Sequence, residues 1–373
     1  MSALPTEVLT TQLATPRIVN HDIMNCTHES VAGNHLYSGR ALGLTEPGDI
    51  IQLHPELQPE WSAIAAHYKR VGVSHTDEVI WDVSHATMAA YPHHHASVFF
   101  YGDGVSDWRP DPAWQAVVAQ TNDKNRFMDL AETLGMAVPK TLRFANAAAV
   151  DELEQLPYPC YVKAAISVSG VGIYRCETPG EVRAALACLA PQVPLQIQQE
   201  IHTELFLNLQ YQVKGRSAVP LAASEQLLDG FLQQGNRYPA RYSPWQSLEP
   251  MAQWMARNGM QDIFAFDVGV EETPDGPCFL PIACKPRFNG ASYPTAIANK
   301  LGLDSWLGIQ LETSCRHLAE IYLEDLEYDP HTGRGVILVN WGTIKAGKLG
   351  LLIAGSVEQQ ETLKQLLRAR LLC

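Results

Sequence analysis

A turn signal, Thr273-Pro-Asp-Gly276, separates two strand-like runs, Ile263 to Val270 and Cys278 to Lys285, and predicts that they pair antiparallel. No other stretch restricts the fold so tightly, because the hairpin brings Asp267 beside the segment Pro281-Ile-Ala-Cys-Lys-Pro-Arg-Phe-Asn-Gly-Ala-Ser-Tyr-Pro294. Side chains alternate along a strand, so Ala283, Lys285, Arg287 and Asn289 share a face if Pro286 leaves the strand unbroken. A lysine point charge and an arginine fork beside an amide fit phosphate, and Asn289-Gly290 lets the chain turn just after them. Read alone, the same stretch fits a solvated edge strand equally well.

The remaining sequence reads as mixed α/β. Residues 1 to about 110 alternate strand-like and helix-like segments, among them Ile50 to Leu53, Trp61 to Tyr68, Glu78 to Asp82 and Ala96 to Tyr101, which predicts a small open α/β domain. No G-x-G-x-x-G follows any early strand, which argues against a dinucleotide enzyme. His93, His94 and His95 are consecutive and cannot all face one ion from a strand, so a solvated loop is expected there.

Pro110 and Pro112 mark a connection, after which Asp123 can cap a helix carrying Phe127, Leu130, Ala131 and Leu134 on one face. Between Leu205–Val213 and Ile263–Val270 lies a long polar stretch holding Gln226 and Gly235-Asn-Arg. The tail reads as two strands and a last helix with Leu363, Leu366, Leu367 and Leu371 on its apolar face. Gly342 to Lys348 has the spacing of a phosphate-binding loop, but Leu349 replaces the metal-binding hydroxyl and a strand follows, which predicts a hairpin turn.

At 373 residues the chain has room for two or three domains, here 1–120, 121–202 and 203–373. A formal charge of −13 argues against a nucleic acid or an anionic membrane as the main partner, while leaving room for a local basic pocket. The eight cysteines include no C-x-x-C pair, there is no basic leader, and no apolar run approaches the roughly 18 residues of a membrane helix. These features predict a cytoplasmic protein.

Three lysines fall in a telling order. Lys124 begins a helix, Lys163 ends a strand before the small-residue loop Ser167-Val-Ser-Gly-Val-Gly172, and Lys285 precedes Arg287, with a strand end Gln198-Gln199-Glu200-Ile201 between the second and third. This order resembles the ATP-grasp superfamily over roughly Asp123 to Leu301. The resemblance implies an α/β (α+β) ATP-grasp fold preceded by an open α/β (pre-ATP-grasp) domain. Ser224-Glu-Gln226 and Gly235-Asn-Arg are similar to the subgroup with a diverged N-terminal domain, many of whose members join amino acids in specialised metabolism.

The resemblance further implies ATP as cofactor. Lys124 and Lys163 would hold phosphates, Ser169, Gly170 and Gly172 would form the lid, Gln199, Glu200 and Ile201 the adenine hinge, and Glu204 a ribose contact. Arg287 and Lys285 would be catalytic, Gln226, Asn289 and Tyr293 substrate-binding, and Asp267 and Asn289 metal ligands. The implied reaction joins a small carboxylate to an amine, amino acids being the expected substrates, with a homodimer left open. One departure is sharp: the family's Glu-x-Asn-x-Arg strand places Ala283 and Lys285 at two magnesium-ligand positions, so one Mg²⁺ ion rather than two is expected. The alternative is a degenerate nucleotide-binding or partner-binding protein.

Overall fold

The computed structural model describes residues 15–27, 32–102, 104–167, 172–230 and 232–372. The short apolar runs near the N-terminus become β1 (Arg17–Asn20), β2 (Ile50–Gln52), α1 (Trp61–Val71), β3 (Val79–Ile80) and β4 (His95–Val98). These strands form one parallel sheet in the order β3-β2-β1-β4. α1 buries Ile64, His67, Tyr68 and Val71 and ends at Gly72, whose φ of 78° suits a residue without a Cβ. His95 departs from the solvated loop expected of the histidine run: it opens β4, and its Nε2 lies 2.9 Å from Asp262 Oδ1.

Pro112 does more than mark a connection. It is the first residue of α2 (Pro112–Asn122), where a missing N–H costs nothing, and the Asp111 carboxylate accepts from Trp114 N at 3.0 Å. The next elements are α3 (Lys124–Thr133), β5 (Thr141–Phe144), β6 (Cys160–Ala164), β7 (Ile173–Cys176), α4 (Pro179–Ala187) and β8 (Leu195–Gln199). Asp123 caps α3 as expected, accepting from Asn125 N and Arg126 N. The strands pair antiparallel as β5-β8-β6-β7 around a separate core that includes Cys160, Val162, Val182 and Ile197.

The largest sheet collects β9 (Phe206–Lys214), β10 (Ser217–Asp229), β11 (Leu232–Tyr238), β12 (Ile263–Thr273) and β13 (Gly276–Lys285), with α5 (Trp245–Arg257) between β11 and β12. After α6 (Ser292–Leu301) come β14 (Trp306–Glu312), β15 (Gly335–Leu338), β16 (Lys348–Ala354) and α7 (Val357–Leu371). Its eight strands run antiparallel in the order β13-β12-β9-β10-β11-β14-β16-β15. The stretch read as long and polar is thus two strands and a helix. α5 presents Leu248, Met251, Ala252, Met255 and Ala256 to the core although Pro250 removes one of its internal hydrogen bonds. Gly342–Ala346 is a short 3-10 turn joining β15 to β16, in line with the hairpin reading. On α7, Leu367 and Leu371 are buried while Leu366 faces solvent, so its apolar face is narrower than expected.

The N-terminal sheet and the large sheet share two apolar clusters: in one Val19, Leu42 and Tyr68 join Trp306, Trp341 and Leu352, and in the other Ile18 and Val98 join Leu207 and Phe266. Among the described residues the cysteines carry no disulfide, and no helix is long and apolar enough to cross a membrane.

Candidate active site

The hairpin β12–β13 delivers the centre of the site. Asp267 lies opposite Ala283 and Asn208, and a register shift follows it in β12. Its Oδ2 takes the Lys285 ammonium, while its Oδ1 accepts from Gln226 Nε2 at 2.6 Å and Asn208 Nδ2 at 3.2 Å. Both carboxylate oxygens are therefore engaged by neighbours on β9, β10 and β13. Asn208 was missed in the sequence, though Leu207-Asn-Leu-Gln210 alternates apolar and amide side chains, and both amides are buried.

Two further lysines feel the same carboxylate, Lys163 from the small sheet and Lys124 from the start of α3. Lys163, in β6, is buried and donates to Gln198 Oε1 at 2.7 Å; Gln198 in turn donates to Thr141 Oγ1 at 2.9 Å. Burial, with the nearby Lys124 charge, pulls the Lys163 ammonium down to about 7, against a weaker opposing pull from Asp267. Lys124, the first residue of α3, donates to Ser167 Oγ at 2.8 Å, and its backbone amide is tied to Ala165 O at the end of β6. Burial and then the Lys285 charge bring it down to about 8. Arg287 follows β13, lies 5.3 Å from the Phe99 ring centroid, and forms no ion pair among the described residues. Burial lowers its affinity for its proton. Four cations and one carboxylate make a strongly anion-seeking centre.

The hinge residues lie at the end of β8. Glu200 N donates to Pro159 O at 2.9 Å, and Thr203 N to Ile201 O at 2.9 Å, whereas the Glu200 carbonyl and Ile201 amide have no backbone partner among the described residues. The Glu200 side chain is held by Arg175 Nε at 2.6 Å and Tyr161 Oη at 2.8 Å, which ties the hinge to β7. Gln199 and Glu204 are exposed. Gly172 adopts φ 75° just before β7 and accepts from Ala164 N at 3.1 Å. Ser169 and Gly170 lie outside the described residues.

Three assigned positions make contacts within the protein. Gln226 contacts Asp267, so it positions that carboxylate. Asn289 Oδ1 accepts from Ala291 N at 2.8 Å, which leaves its buried Nδ2, a donor and not a metal ligand, as the unpartnered atom. Tyr293 is buried, and its hydroxyl lies 2.9 Å from His21 Nδ1, linking α6 to the N-terminal sheet. The donor set does not fit a two-ion magnesium centre: Ala283 offers no ligand, and Lys285 is itself a cation and already sits on Asp267 Oδ2. A wider depression over β5 contains Arg143, but that guanidinium is paired with Asp129 and Glu132.

No family model and no curated protein matches the sequence. Solved structures do match. An N5-carboxyaminoimidazole synthetase from Staphylococcus aureus complexed with ADP superposes with a TM-score of 0.61 at 11% identity, over 95% of this chain and 96% of that one. An L-amino acid ligase from Bacillus licheniformis gives 0.57 at 11% identity, over 95% and 96%. A phosphoribosylamine–glycine ligase from Thermotoga maritima gives 0.56 at 13% identity, over 94% of each chain. All three share the ATP-grasp fold. Likeness along nearly the whole length of each, at such low identity, establishes architecture: this chain has the ATP-grasp fold, preceded by a parallel α/β sheet.

Proposed function

We propose that the protein is an ATP-dependent ligase that joins a small carboxylic acid to an amine. The observation that carries this reading is the convergence of Lys124, Lys163, Lys285 and Arg287 around Asp267, on a fold whose solved examples include ADP complexes. In the proposed reaction a carboxylate oxygen attacks the γ-phosphorus of ATP, ADP leaves, and an acyl phosphate forms. The amine nitrogen then attacks the acyl carbon, phosphate departs, an amide bond forms and one proton is released. Such chemistry depends on positioning and charge neutralisation more than on a nucleophilic side chain.

Lys124 and Lys163 are assigned to the phosphates, and the free Glu200 carbonyl and Ile201 amide to the adenine edge, with Gln199 beside them. Glu204 is assigned to the ribose. Ser169, Gly170 and Gly172 are assigned to the lid that keeps water from the phosphates. Arg287 stabilises the transferring phosphoryl group, and the unpartnered Asn289 Nδ2 donates to a substrate oxygen. Lys285 stands on Asp267 and neutralises phosphate charge where the resemblance to the ATP-grasp superfamily implies a metal. Magnesium, when bound with ATP, supplies further neutralisation of the phosphates. Amino acids are the preferred substrate class, and specialised metabolism the proposed setting.

Titrating ATP and ADP into the protein by calorimetry, with magnesium and then with a chelator, tests the reading without knowledge of the acid. Micromolar binding that weakens only modestly in chelator is the expected result, followed by phosphate release on adding acids and amines. Absence of nucleotide binding sinks it.

A second reading, a nucleotide-binding protein that no longer transfers phosphate, draws on the hydrogen bonds that already engage both Asp267 oxygens. The double variant Ala283→Glu, Lys285→Asn separates the two. Loss of at least about tenfold in an existing activity supports a working lysine site, whereas activity appearing only in the variant supports the second reading.

A further inference from the structure

Arg40 stands apart from the cations of the phosphate centre. It belongs to the 3-10 helix Asn34–Leu44, is 7% exposed, and its Nε and Nη2 have no hydrogen-bond partner among the described residues. A guanidinium cannot shed its charge, so its unfilled donors call for an acceptor. The rings of Tyr293, Phe99 and Tyr37 lie 4.4, 4.5 and 5.1 Å from its central carbon. Aromatic faces stabilise the cation but leave its in-plane N–H groups unsatisfied. Nε and Nη2 together form the edge that grips a carboxylate with two parallel bonds.

Arg40 lines a cavity of about 150 Å³ together with Tyr37, Gln233, Asn236, Tyr293 and Asn340. That volume equals about five waters of liquid, enough for a carboxylate and the short chain bearing it. Although the protein carries a formal charge of −13, no Asp or Glu among the described residues lines this cavity. Asn340 adds a third buried atom without a partner, its Oδ1.

The cavity adjoins the phosphate centre by two routes. Phe99 lies against both Arg40 and Arg287. A polar seam also crosses the large sheet: Gln233 donates to Asn236, Asn236 donates to Ser224 Oγ at 3.0 Å, Ser224 pairs in register with Asn208, and Asn208 donates to Asp267.

The geometry points to a subsite for a substrate carboxylate that does not react, held on the Nε–Nη2 edge of Arg40 while the reacting carboxyl group meets Arg287. This inference rests on the ligase reading and narrows its substrates. The spectator carboxylate comes either from a dicarboxylic acid or from an amino acid serving as the amine, and the cavity recognises the shared group.

The test is calorimetry on the full chain holding ADP and magnesium, with two probe pairs: glutarate against butyrate, and L-alanine against L-alaninamide. In one pair, the probe with the extra carboxylate binds at least about tenfold more tightly, and Arg40→Gln shrinks that margin to about twofold while ADP affinity is unchanged. The pair showing the margin identifies which substrate carries the group. Arg40→Lys, which keeps the charge without the fork, retains part of it. Should Arg40→Gln not fold, Asn340→Asp erases the margin by placing negative charge on the cavity wall. No margin in either pair, or one that survives these changes, overturns the subsite and leaves the ligase reading standing. Failure of the unaltered protein to bind ADP overturns the ligase reading itself.

Discussion

Lys163 sits inside a strand with an amide, not a carboxylate, as its hydrogen-bond partner, and a second lysine nearby. Its ammonium is held down to about 7 by burial first and by Lys124 second, so near pH 8 much of it is neutral in the free protein. Bound phosphates favour the charged form. Nucleotide affinity is therefore full below pH about 7 and declines as pH rises through the Lys163 and Lys124 values of about 7 and 8. At pH 8 binding takes up protons, which appears as a buffer-dependent heat in calorimetry; equal heats in buffers of different ionisation enthalpy count against it. Lys163→Met is expected to weaken ATP binding by about 10- to 100-fold and to flatten this pH dependence. The sequence marked Lys163 by its place before a glycine loop. Its pairing with Gln198 depends on β6 lying beside β8, which no local pattern encodes.

At the scale of elements, α1 is fastened to the segment before β15 by Glu327. That carboxylate accepts from Arg70 Nη2 at 2.6 Å, Arg70 Nε at 2.7 Å and His67 Nδ1 at 2.7 Å, while His67 Nε2 accepts from Leu338 N at 3.0 Å. Burial pushes the Glu327 carboxyl up, but the Arg70 and His67 hydrogen bonds outweigh it and bring it down to about 2. A depressed carboxyl contributes stability above its unfolded value of about 4.3, and that contribution is lost as pH falls toward 2. Glu327→Gln is expected to cost about 1–2 kcal/mol at pH 7, a modest figure because Arg70 is half exposed, and to flatten the acid limb of the stability profile. Urea midpoints between pH 3 and 7 check both; an unchanged acid limb rejects the assignment. Elements with local signals were legible, such as the Thr273–Gly276 turn and the Asp123 cap. α5 was not, since Pro250 interrupts an otherwise helical apolar spacing and only packing on the large sheet compensates for the lost bond.

For the whole molecule, the two shared clusters make the N-terminal sheet and the large sheet one cooperative unit, while the small sheet keeps its own core. Leu352→Ala, far from the parallel sheet in sequence, is expected to lower amide protection in both β16 and β1 by about 2–4 kcal/mol while leaving β6 nearly unchanged. Native-state hydrogen exchange reads this directly, and unaltered protection at Val19 defeats it. By itself the sequence determined the β12–β13 hairpin, the capped α3, the order of the three lysines and the presence of Ala283 and Lys285 where the resemblance implies metal ligands, because turns, caps and residue identity are local properties. Only the tertiary structure decided that both Asp267 oxygens accept hydrogen bonds, that Asn289 Oδ1 accepts from Ala291 N, and that Arg40 Nε and Nη2 lie without partners beside a cavity that Tyr293 also lines. Those facts come from chain segments that meet only when separate sheets pack, and burial, which sets their charge and hydrogen-bonding state, exists only once they do.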